Sequence, residues 1–463
     1  MDEKKTVPGG DKYSARRDMS EPETLATLER CFRLLAGARR NSAARTPSNP
    51  GTLLGRCLKR PIFDRIKHRV TRMDHNLFDV IWPAFKKYGN PTTNSKTSGS
   101  GHSFVMSIED TADNEIVVAP DYESYVVFAE LFDPIIRELH CLTASGDLPD
   151  HPPTRFFDID ESLDDRDLDK MAVSALDNYD LDPASKYVQA STIECCRNLE
   201  DYTLPLTLTV NQLEDVERVL TSEFMSPEIS TIMAEGSSED EAGNYLTLSE
   251  LLDQPSPLRA QLAAAGLLLP ITEFAIHDAR RLHGKHWTYG RGVYVAAAGD
   301  LAAWVNVQDH LRVISRTTDN KPGLIGRAYV RLAKVMRLLD QRLQFRKDVK
   351  LGFLSSRPYA IGNTLKFTVI VKFPELSKER DHLKHLCVVR GLSVSDTPRK
   401  DTFKIANQQC LSISEIQTLQ DFLRAVSNIL VLEKELTLNN SLRIASMIAG
   451  IFRKKPNSKG LRS

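Results

Sequence analysis

The sequence of 463 residues has no excess of charge of either sign, because 61 Lys and Arg balance 61 Asp and Glu. This balance argues against a general binder of nucleic acid or acidic membranes. No uncharged apolar run approaches the ~18 residues that span a bilayer, and the N-terminal residues MDEKKTVPGGDKYSARRD contain no apolar signal core. The seven cysteines are few, odd in number and not spaced as metal ligands. We therefore expect a reduced, cytoplasmic protein without a metal site.

The composition is that of a globular protein, and the charged residues are distributed unevenly along the chain. Hydrophobic residues make up 41% and charged residues 26%, which suits a chain of two or three domains. Residues 1–59 are predicted to be a mostly disordered basic extension, in which Pro22–Ala36 has the apolar spacing of a short helix. Residues 156–182 hold ten acidic groups and are expected to form an acidic linker. The polar segment 90–102 predicts a loop.

Strand and helix patterns follow one another in the second half of the chain. Gly292–Ala297 and Ala302–Val307 are short apolar runs separated by Gly299-Asp300, which predicts a β-hairpin. Lys366–Phe373 alternates as a strand does. Helices are predicted at about 323–343, 377–388 and 412–436 from their apolar spacing. This mixture favours an α+β fold.

Several segments resemble, in the same order, motifs of the phosphagen kinases, the ATP:guanidino phosphotransferases, and of the arginine kinase type in particular. GRGVYVAAAGDLAAWVNVQDHLRVIS at 290–315 is similar to the family's GRGIY, a short turn and VWCNEEDHLRIIS. The other similar segments are KYVQASTIECCRNLEDY at 186–202, LGFLSSRPYAIGNTLKFTVIVKFPEL at 351–376 and IVVAPDYESYVVFAELFDPII at 116–136. The resemblance covers roughly residues 60–436.

The resemblance implies both a fold and a chemistry. The fold is a small all-α N-terminal domain, over 60–155, and a larger C-terminal domain, over 183–437, in which helices flank an antiparallel sheet (phosphagen kinase or glutamine synthetase-like). The chemistry moves a phosphoryl group between ATP and a guanidinium nitrogen. Arginines and Mg²⁺ clamp the phosphates, while carboxylates hold the guanidinium and a cysteine lies beside it.

By the same resemblance, the nucleotide-binding arginines are mostly replaced. Thr192 and Glu194 stand at two of their positions, so Glu194 puts a carboxylate where phosphate is expected. Pro398 stands at a third, in a shortened loop. The cations that remain as candidates for nucleotide binding are Arg197, Arg312, Lys366 and Arg399.

The guanidino side is also altered. Gln308 stands in place of a substrate-binding glutamate, and an amide supplies neither a counter-charge nor a base. Arg357 replaces the family's reactive cysteine and would repel a guanidino substrate, and Val118 replaces a tyrosine of the specificity loop. The vicinal Cys195 and Cys196 are predicted to be buried and inert. No catalytic residue is therefore intact.

We expect an arginine kinase-like protein that is catalytically degenerate and acts as a structural or interaction protein, with an unidentified protein partner or scaffold and no nucleic acid. It would need no cofactor. The alternative is a working ATP:guanidino phosphotransferase with an altered substrate, in which the remaining cations rebuild the clamp and ATP or ADP binds with Mg²⁺.

The C-terminal tail, 438–463, extends beyond the resemblance. Residues 441–463 carry six Lys/Arg and no acid, and their apolar positions can share one face of a helix. Three interpretations stay open: an extra helix packed on the body, a helix that contacts a partner or a membrane surface, and disorder.

Overall fold

The computed structural model describes residues 22–41, 53–85, 117–157, 175–234, 243–253, 257–269, 280 and 283–438. The predictions for segment 90–102 and for tail 441–463 lie outside these residues. Within them, no helix is long and apolar enough to cross a membrane.

The N-terminal domain consists of helices packed around one apolar core. Its helices are α1 (Pro22–Asn41), α2 (Leu53–Cys57), α3 (Arg60–Ile66), α4 (Leu77–Ile81), α5 (Ser124–Val127) and α6 (Ala129–Leu139), with a 3₁₀ turn at Trp82–Phe85. The helix predicted at Pro22–Ala36 is present and continues to Asn41.

Two parts of the segment 1–59, for which a mostly disordered basic extension is predicted, are described by the structure: 22–41 and 53–59. Leu28, Cys31 and Leu54 have no exposed surface and belong to the same core as Phe63 and Phe132. Arg30 and Arg33 of α1 are exposed on its outer face. Composition therefore indicated an unfolded segment, although one stripe of the helix is buried.

The C-terminal domain is built on an eight-stranded sheet in which every neighbouring pair is antiparallel. Its strands are β1 (Val188–Arg197), β2 (Asn244–Thr247), β3 (Gly292–Val295), β4 (Leu301–Val307), β5 (Asp309–Arg316), β8 (Lys366–Lys372), β9 (Leu392–Asp396) and β10 (Thr402–Asn407), and a separate pair is formed by β6 (Lys347–Asp348) and β7 (Gly352–Phe353). Across the sheet the order is β2-β3-β4-β5-β1-β8-β10-β9.

Helices lie against both faces of this sheet. They are α7 (Val210–Phe224), α8 (Pro227–Ala234), α9 (Leu248–Leu252), α10 (Pro257–Ala264), α11 (Ile325–Arg342), α12 (Arg380–Val389) and α13 (Glu415–Leu438), with 3₁₀ turns at Pro358–Ala360 and Leu376–Glu379. The three predicted helices correspond to α11, α12 and α13. The predicted hairpin is β3–β4, and Gly299 takes a φ of 63° in its turn.

The two faces of the sheet contribute to different cores. Ile193 and Phe367 point to one face, where they join the large core that includes α11 and α13. Trp304 and Ile314 point to the other face and pack against the α9–α10 region, where the Trp304 indole N–H donates to the Leu267 carbonyl at 3.0 Å. The predicted α+β fold, with a helical N-terminal domain and helices flanking an antiparallel sheet, is confirmed.

The ends of the expected acidic linker, 156–182, are part of the folded body. Phe156, Phe157 and Leu181 are buried in the large core, and the Tyr329 hydroxyl donates to the Phe156 carbonyl at 2.6 Å. Residues 158–174 lie outside the described residues. Apolar side chains at both ends of the acidic run thus pack in the core of the C-terminal domain.

We expect Leu28→Ala to destabilise the N-terminal domain by about 2–5 kcal/mol, because it leaves a cavity in a packed core. Arg30→Ala, at an exposed position of the same helix, should change the free energy of unfolding by less than about 0.5 kcal/mol. Urea denaturation of both variants measures the difference. If both variants change the free energy of unfolding by the same small amount, α1 does not pack in the core of the domain.

Candidate functional site

The central strand β1 brings the substituted positions to one face of the sheet. Side chains alternate along a strand, so Thr192, Glu194 and Cys196 share a face. In the register of the sheet, Glu194 is opposite Lys366 on β8, and Cys196 is opposite Arg312 on β5. Residues far apart in sequence thus converge at this point of the sheet.

Glu194 binds two arginines. One of its carboxylate oxygens lies 2.6 Å from Nη2 of Arg312, and the other lies 3.0 Å from Nη2 of Arg357. Arg312 and Arg357 are only 9% and 2% exposed. Two nearly buried guanidinium groups therefore share one carboxylate.

A second carboxylate completes this arrangement. Nη2 of Arg357 lies 3.3 Å from Oδ2 of Asp309 and 2.7 Å from Sγ of Cys196, and its Nη1 donates to the Tyr359 hydroxyl at 2.7 Å. Asp309 is held from the other side by the side-chain amide of Asn198, at 2.8 Å. We call Glu194, Asp309, Arg312 and Arg357 the buried charge cluster. Its two cations and two anions make it neutral overall.

Burial and neighbouring charges shift the pKa values of Glu194 and of the two adjacent cysteines. Burial disfavours the charged form of Glu194, but Arg312 and Arg357 outweigh this effect and lower the pKa of its carboxyl to about 2. Burial raises the pKa of the Cys196 thiol well above its usual range and that of Cys195 to about 11. Both thiols are fully buried and neutral at pH 7, in agreement with the inert role predicted for them.

Gln308 lies at the edge of the cluster. It forms the tip of the β4–β5 hairpin with a φ of 68°. Its side-chain oxygen accepts a hydrogen bond from Nη1 of Arg312 at 3.3 Å. The amide therefore orients an arginine of the cluster and adds no charge to it.

Arg357 also connects the two domains. The carbonyls of Ser355 and Ser356, which precede it, accept hydrogen bonds from the Tyr125 hydroxyl and the Ala119 N–H of the N-terminal domain, both at 2.7 Å. Its own side chain reaches the sheet of the C-terminal domain. The segment around Arg357 is thus fixed to one domain by its backbone and to the other by its guanidinium.

Arg197, a predicted nucleotide ligand, lies elsewhere. Its side chain is on the opposite face of β1 from Glu194, because an odd number of positions separates the two residues. It is fully buried, with its guanidinium 3.4 Å from the ring centroid of Phe353 and Nη1 donating to Thr364 Oγ1 at 2.9 Å. Arg197 is therefore a core residue that lies away from the cluster.

Lys366 and Arg399 do not form a clamp with Arg312. Lys366 faces the cluster, but its Nζ donates to the backbone carbonyl of Gln408 at 2.8 Å. Arg399 is exposed in the β9–β10 turn, beside Thr402, which pairs with Lys372 at the far end of β8. The length of β8 separates Arg399 from the cluster by about 20 Å, so Arg399 does not contribute to the cluster.

Thr192 and Val118 lie near the cluster without joining it. Thr192 is partly buried, and its methyl group faces Gly266. Val118 belongs to the N-terminal domain, where its N–H donates to the carbonyl of Val80 at 3.0 Å. Neither side chain supplies a charge.

Sequence reasoning missed the pairing of the substituted residues with one another. Glu194 and Arg357 were each interpreted as repelling a substrate. Their opposite charges were the signal that could have predicted an ion pair between them. Asp309 and Tyr359 were likewise not recognised as partners of Arg357, since no local pattern links residues on separate strands and turns.

Two models of one protein family match this chain, and curated relatives match most of its length. The model of the ATP:guanido phosphotransferase C-terminal catalytic domain matches residues 225–436, and that of the N-terminal domain matches residues 48–137. Arginine kinase of Limulus polyphemus is 27% identical over 423 residues, which are 90% of this chain and 99% of the relative. Arginine kinase 1 of Drosophila melanogaster is 26% identical over 425 residues, 90% of this chain and 100% of the relative.

Solved structures share the fold. The duplicated taurocyamine kinase from Schistosoma mansoni, with bound transition state analog components, has a TM-score of 0.61 at 20% identity and matches 89% of this chain. This chain spans 48% of that longer chain. Lombricine kinase has a TM-score of 0.57 at 24% identity, covering 84% of this chain and 94% of its own.

We expect Glu194→Gln to destabilise the protein by about 3 kcal/mol at pH 7, because it leaves two buried guanidinium groups with one carboxylate. Since folding lowers the pKa of Glu194 from 4.5 to about 2, the stabilisation is present above pH 4.5 and is lost as the pH falls toward 2. The difference between wild type and variant should therefore shrink over that range. Denaturation at a series of pH values measures it.

The control is Asp319→Asn, which removes one partner of the surface pair Asp319–Arg316, where Asp319 is 88% exposed. It should cost less than about 1 kcal/mol. A penalty for Glu194→Gln that is equally small, or independent of pH, would contradict the importance of the cluster.

Proposed function

Because this chain belongs to the ATP:guanido phosphotransferase (phosphagen kinase) family, we propose that it is a catalytically silent, arginine kinase-like member. In this proposal its own side chains fill the substrate site, and the protein acts as a structural or interaction protein in the cytoplasm. The observation that carries the proposal is the buried charge cluster. The cluster gathers Glu194 and Arg357 at two positions where the family resemblance places substrate-binding groups.

The cations that could bind a nucleotide are already engaged by other groups of the protein, which supports this proposal. Glu194 is bound to both Arg312 and Arg357, so a phosphate group would have to displace a carboxylate that both arginines already hold. Lys366 is engaged by a backbone carbonyl. With Arg197 and Arg399 directed elsewhere, the residues present do not fit the triphosphate of Mg²⁺-ATP.

The residues at the position expected for a guanidino substrate also support the proposal. Arg357 places a guanidinium of the protein between the carboxylates of Glu194 and Asp309. A guanidino substrate would meet a like charge there, and the neutral Gln308 offers no compensating carboxylate. Loss of a single charged contact to a transition state costs about 3–4 kcal/mol, so several such losses would remove most of the catalysis.

The alternative, a phosphotransferase with an altered substrate and Mg²⁺-bound ATP or ADP, requires the cluster to open. The two proposals therefore differ in nucleotide binding. For the interaction role, we propose an unidentified protein partner, with the basic segment 441–463 as its contact.

We expect isothermal titration of the full chain with ADP and Mg²⁺ to give no saturable binding, and a coupled assay with ATP and arginine to give no turnover. An active arginine kinase under the same conditions is the positive control. Saturable, Mg²⁺-dependent binding of ADP would overturn the silent-site proposal in favour of the alternative.

Restoring the family residues should recover binding before turnover. The variant with Thr192→Arg, Glu194→Arg, Gln308→Glu and Arg357→Cys removes the carboxylate that competes with phosphate and adds guanidinium donors. We expect measurable ADP binding but little phosphoryl transfer, because the short β9–β10 turn leaves Arg399 far from the site.

The matched control carries Glu194→Arg alone. With Arg357 retained, three buried cations would face only Asp309, so this variant should be less stable than the fourfold variant. Arginine kinase activity in the fourfold variant at the level of an active relative would contradict the role that we assign to the turn.

A further inference from the structure

A short segment between β10 and α13 attaches the C-terminal domain to the N-terminal domain. Its Leu411 has no exposed surface and is buried in the core of the N-terminal domain. The backbone N–H of Cys410, which precedes Leu411, donates a hydrogen bond to Nδ1 of His140 at 3.1 Å. The N–H of Ser412, which follows Leu411, donates to Nδ1 of His151 at 3.2 Å. Two imidazoles therefore accept the hydrogen bonds on either side of this apolar side chain.

His140 also binds a second segment of the C-terminal domain. It directly follows α6 and has no exposed surface. Its Nε2 lies 2.9 Å from the backbone carbonyl of Pro358. Because Nδ1 accepts the N–H of Cys410, the ring carries its proton on Nε2 and donates it to Pro358. These two hydrogen bonds fix His140 as a neutral imidazole in one tautomer.

The surroundings of both rings oppose a positive charge on them. Burial, together with Lys366 of β8 and the neighbouring His151, lowers the pKa of His140 to about 3. Burial, together with Arg197 and Lys347, lowers the pKa of His151 to about 4. A proton on Nδ1 of either ring would also point at a backbone N–H, so that two donors would face each other. The contact between the domains therefore requires both rings to be neutral.

We propose that His140 and His151 form an acid-sensitive latch between the two domains. When the domains separate, both rings meet water and return to an ordinary histidine pKa of 6.5. Above pH 6.5 the rings are neutral in the closed and the open state, and the latch has its full strength. As the pH falls from 6.5 toward 4, the open state takes up protons that the closed state excludes, and the latch weakens. This inference does not rest on the proposed function, because neither histidine belongs to the buried charge cluster.

Hydrogen–deuterium exchange of the full-length protein, corrected for the intrinsic pH dependence of amide exchange, measures opening of the latch. At pH 5.5 each ring raises the ratio of open to closed protein by about tenfold, so the two rings together raise it by about a hundredfold. We therefore expect the protection of the peptide that contains residues 410–412 to fall by about a hundredfold between pH 7.5 and pH 5.5. Strand β1 should keep a higher protection than this peptide at both pH values, because the domains separate while the sheet stays folded.

Asparagine variants separate protonation from hydrogen bonding, because the asparagine side chain retains an acceptor oxygen but takes up no proton in this pH range. His151→Asn should reduce the change in protection from about a hundredfold to about tenfold, and His140→Asn combined with His151→Asn should abolish it. His382→Asn is the matched control, because His382 is an exposed histidine of α12. It should leave the full change in place.

Three results would overturn the proposal. The first is a protection of residues 410–412 that does not fall between pH 7.5 and pH 5.5. The second is equal protection of this peptide and of β1 at pH 5.5, which would mean that the sheet unfolds together with the contact. The third is an unchanged pH dependence in His151→Asn. This single variant, at a partly exposed position, keeps the test decisive if the buried position of His140 does not tolerate asparagine.

Discussion

The carboxylate of Glu194, placed between two buried guanidinium groups, is the interaction on which the site depends. A guanidinium does not lose its proton in a protein, so Arg312 and Arg357 must keep their charges when they are buried. Burial of such a charge is tolerated only when an opposite charge and hydrogen bonds compensate for lost hydration. Glu194 and Asp309 provide that compensation at distances of 2.6–3.3 Å. The cluster is stable as a set, and its members depend on one another.

This dependence extends to the relation between the domains. The carbonyls of Ser355 and Ser356 are bound by the N-terminal domain, while the guanidinium of the next residue, Arg357, is bound by the sheet. Leu354 and Ile361, on either side, are buried in the N-terminal core. Any movement that separates the domains at this point would therefore also pull a charge away from its buried partners. The charge cluster and the interdomain contact form one cooperative unit.

Glu194 and Arg357, which differ from the residues expected from the family resemblance, are partners of each other in the structure. Considered one at a time, a glutamate at a phosphate position and an arginine at a cysteine position are both losses of function. In the fold the two side chains form an ion pair with each other, at 3.0 Å. The fold of the phosphagen kinase family surrounds this pair.

The sequence by itself determined the classes of the main elements, the order of the family motifs and hence the α+β fold. These features are carried by local periodicity and by residues that are contiguous in the chain, as in Lys366–Phe373 and in α13. It did not show that α1 packs in the core, because the average composition of residues 1–59 conceals a buried stripe.

Only the tertiary structure decided which charged residues meet. Arg197 and Glu194 are near neighbours on β1 but point to opposite faces, and Arg399 is carried to the far end of β8. Glu194 and Arg357, 163 positions apart, come within 3.0 Å of each other. Strand parity, sheet register and the path of the interdomain segment set these contacts, and each depends on pairings between distant parts of the chain.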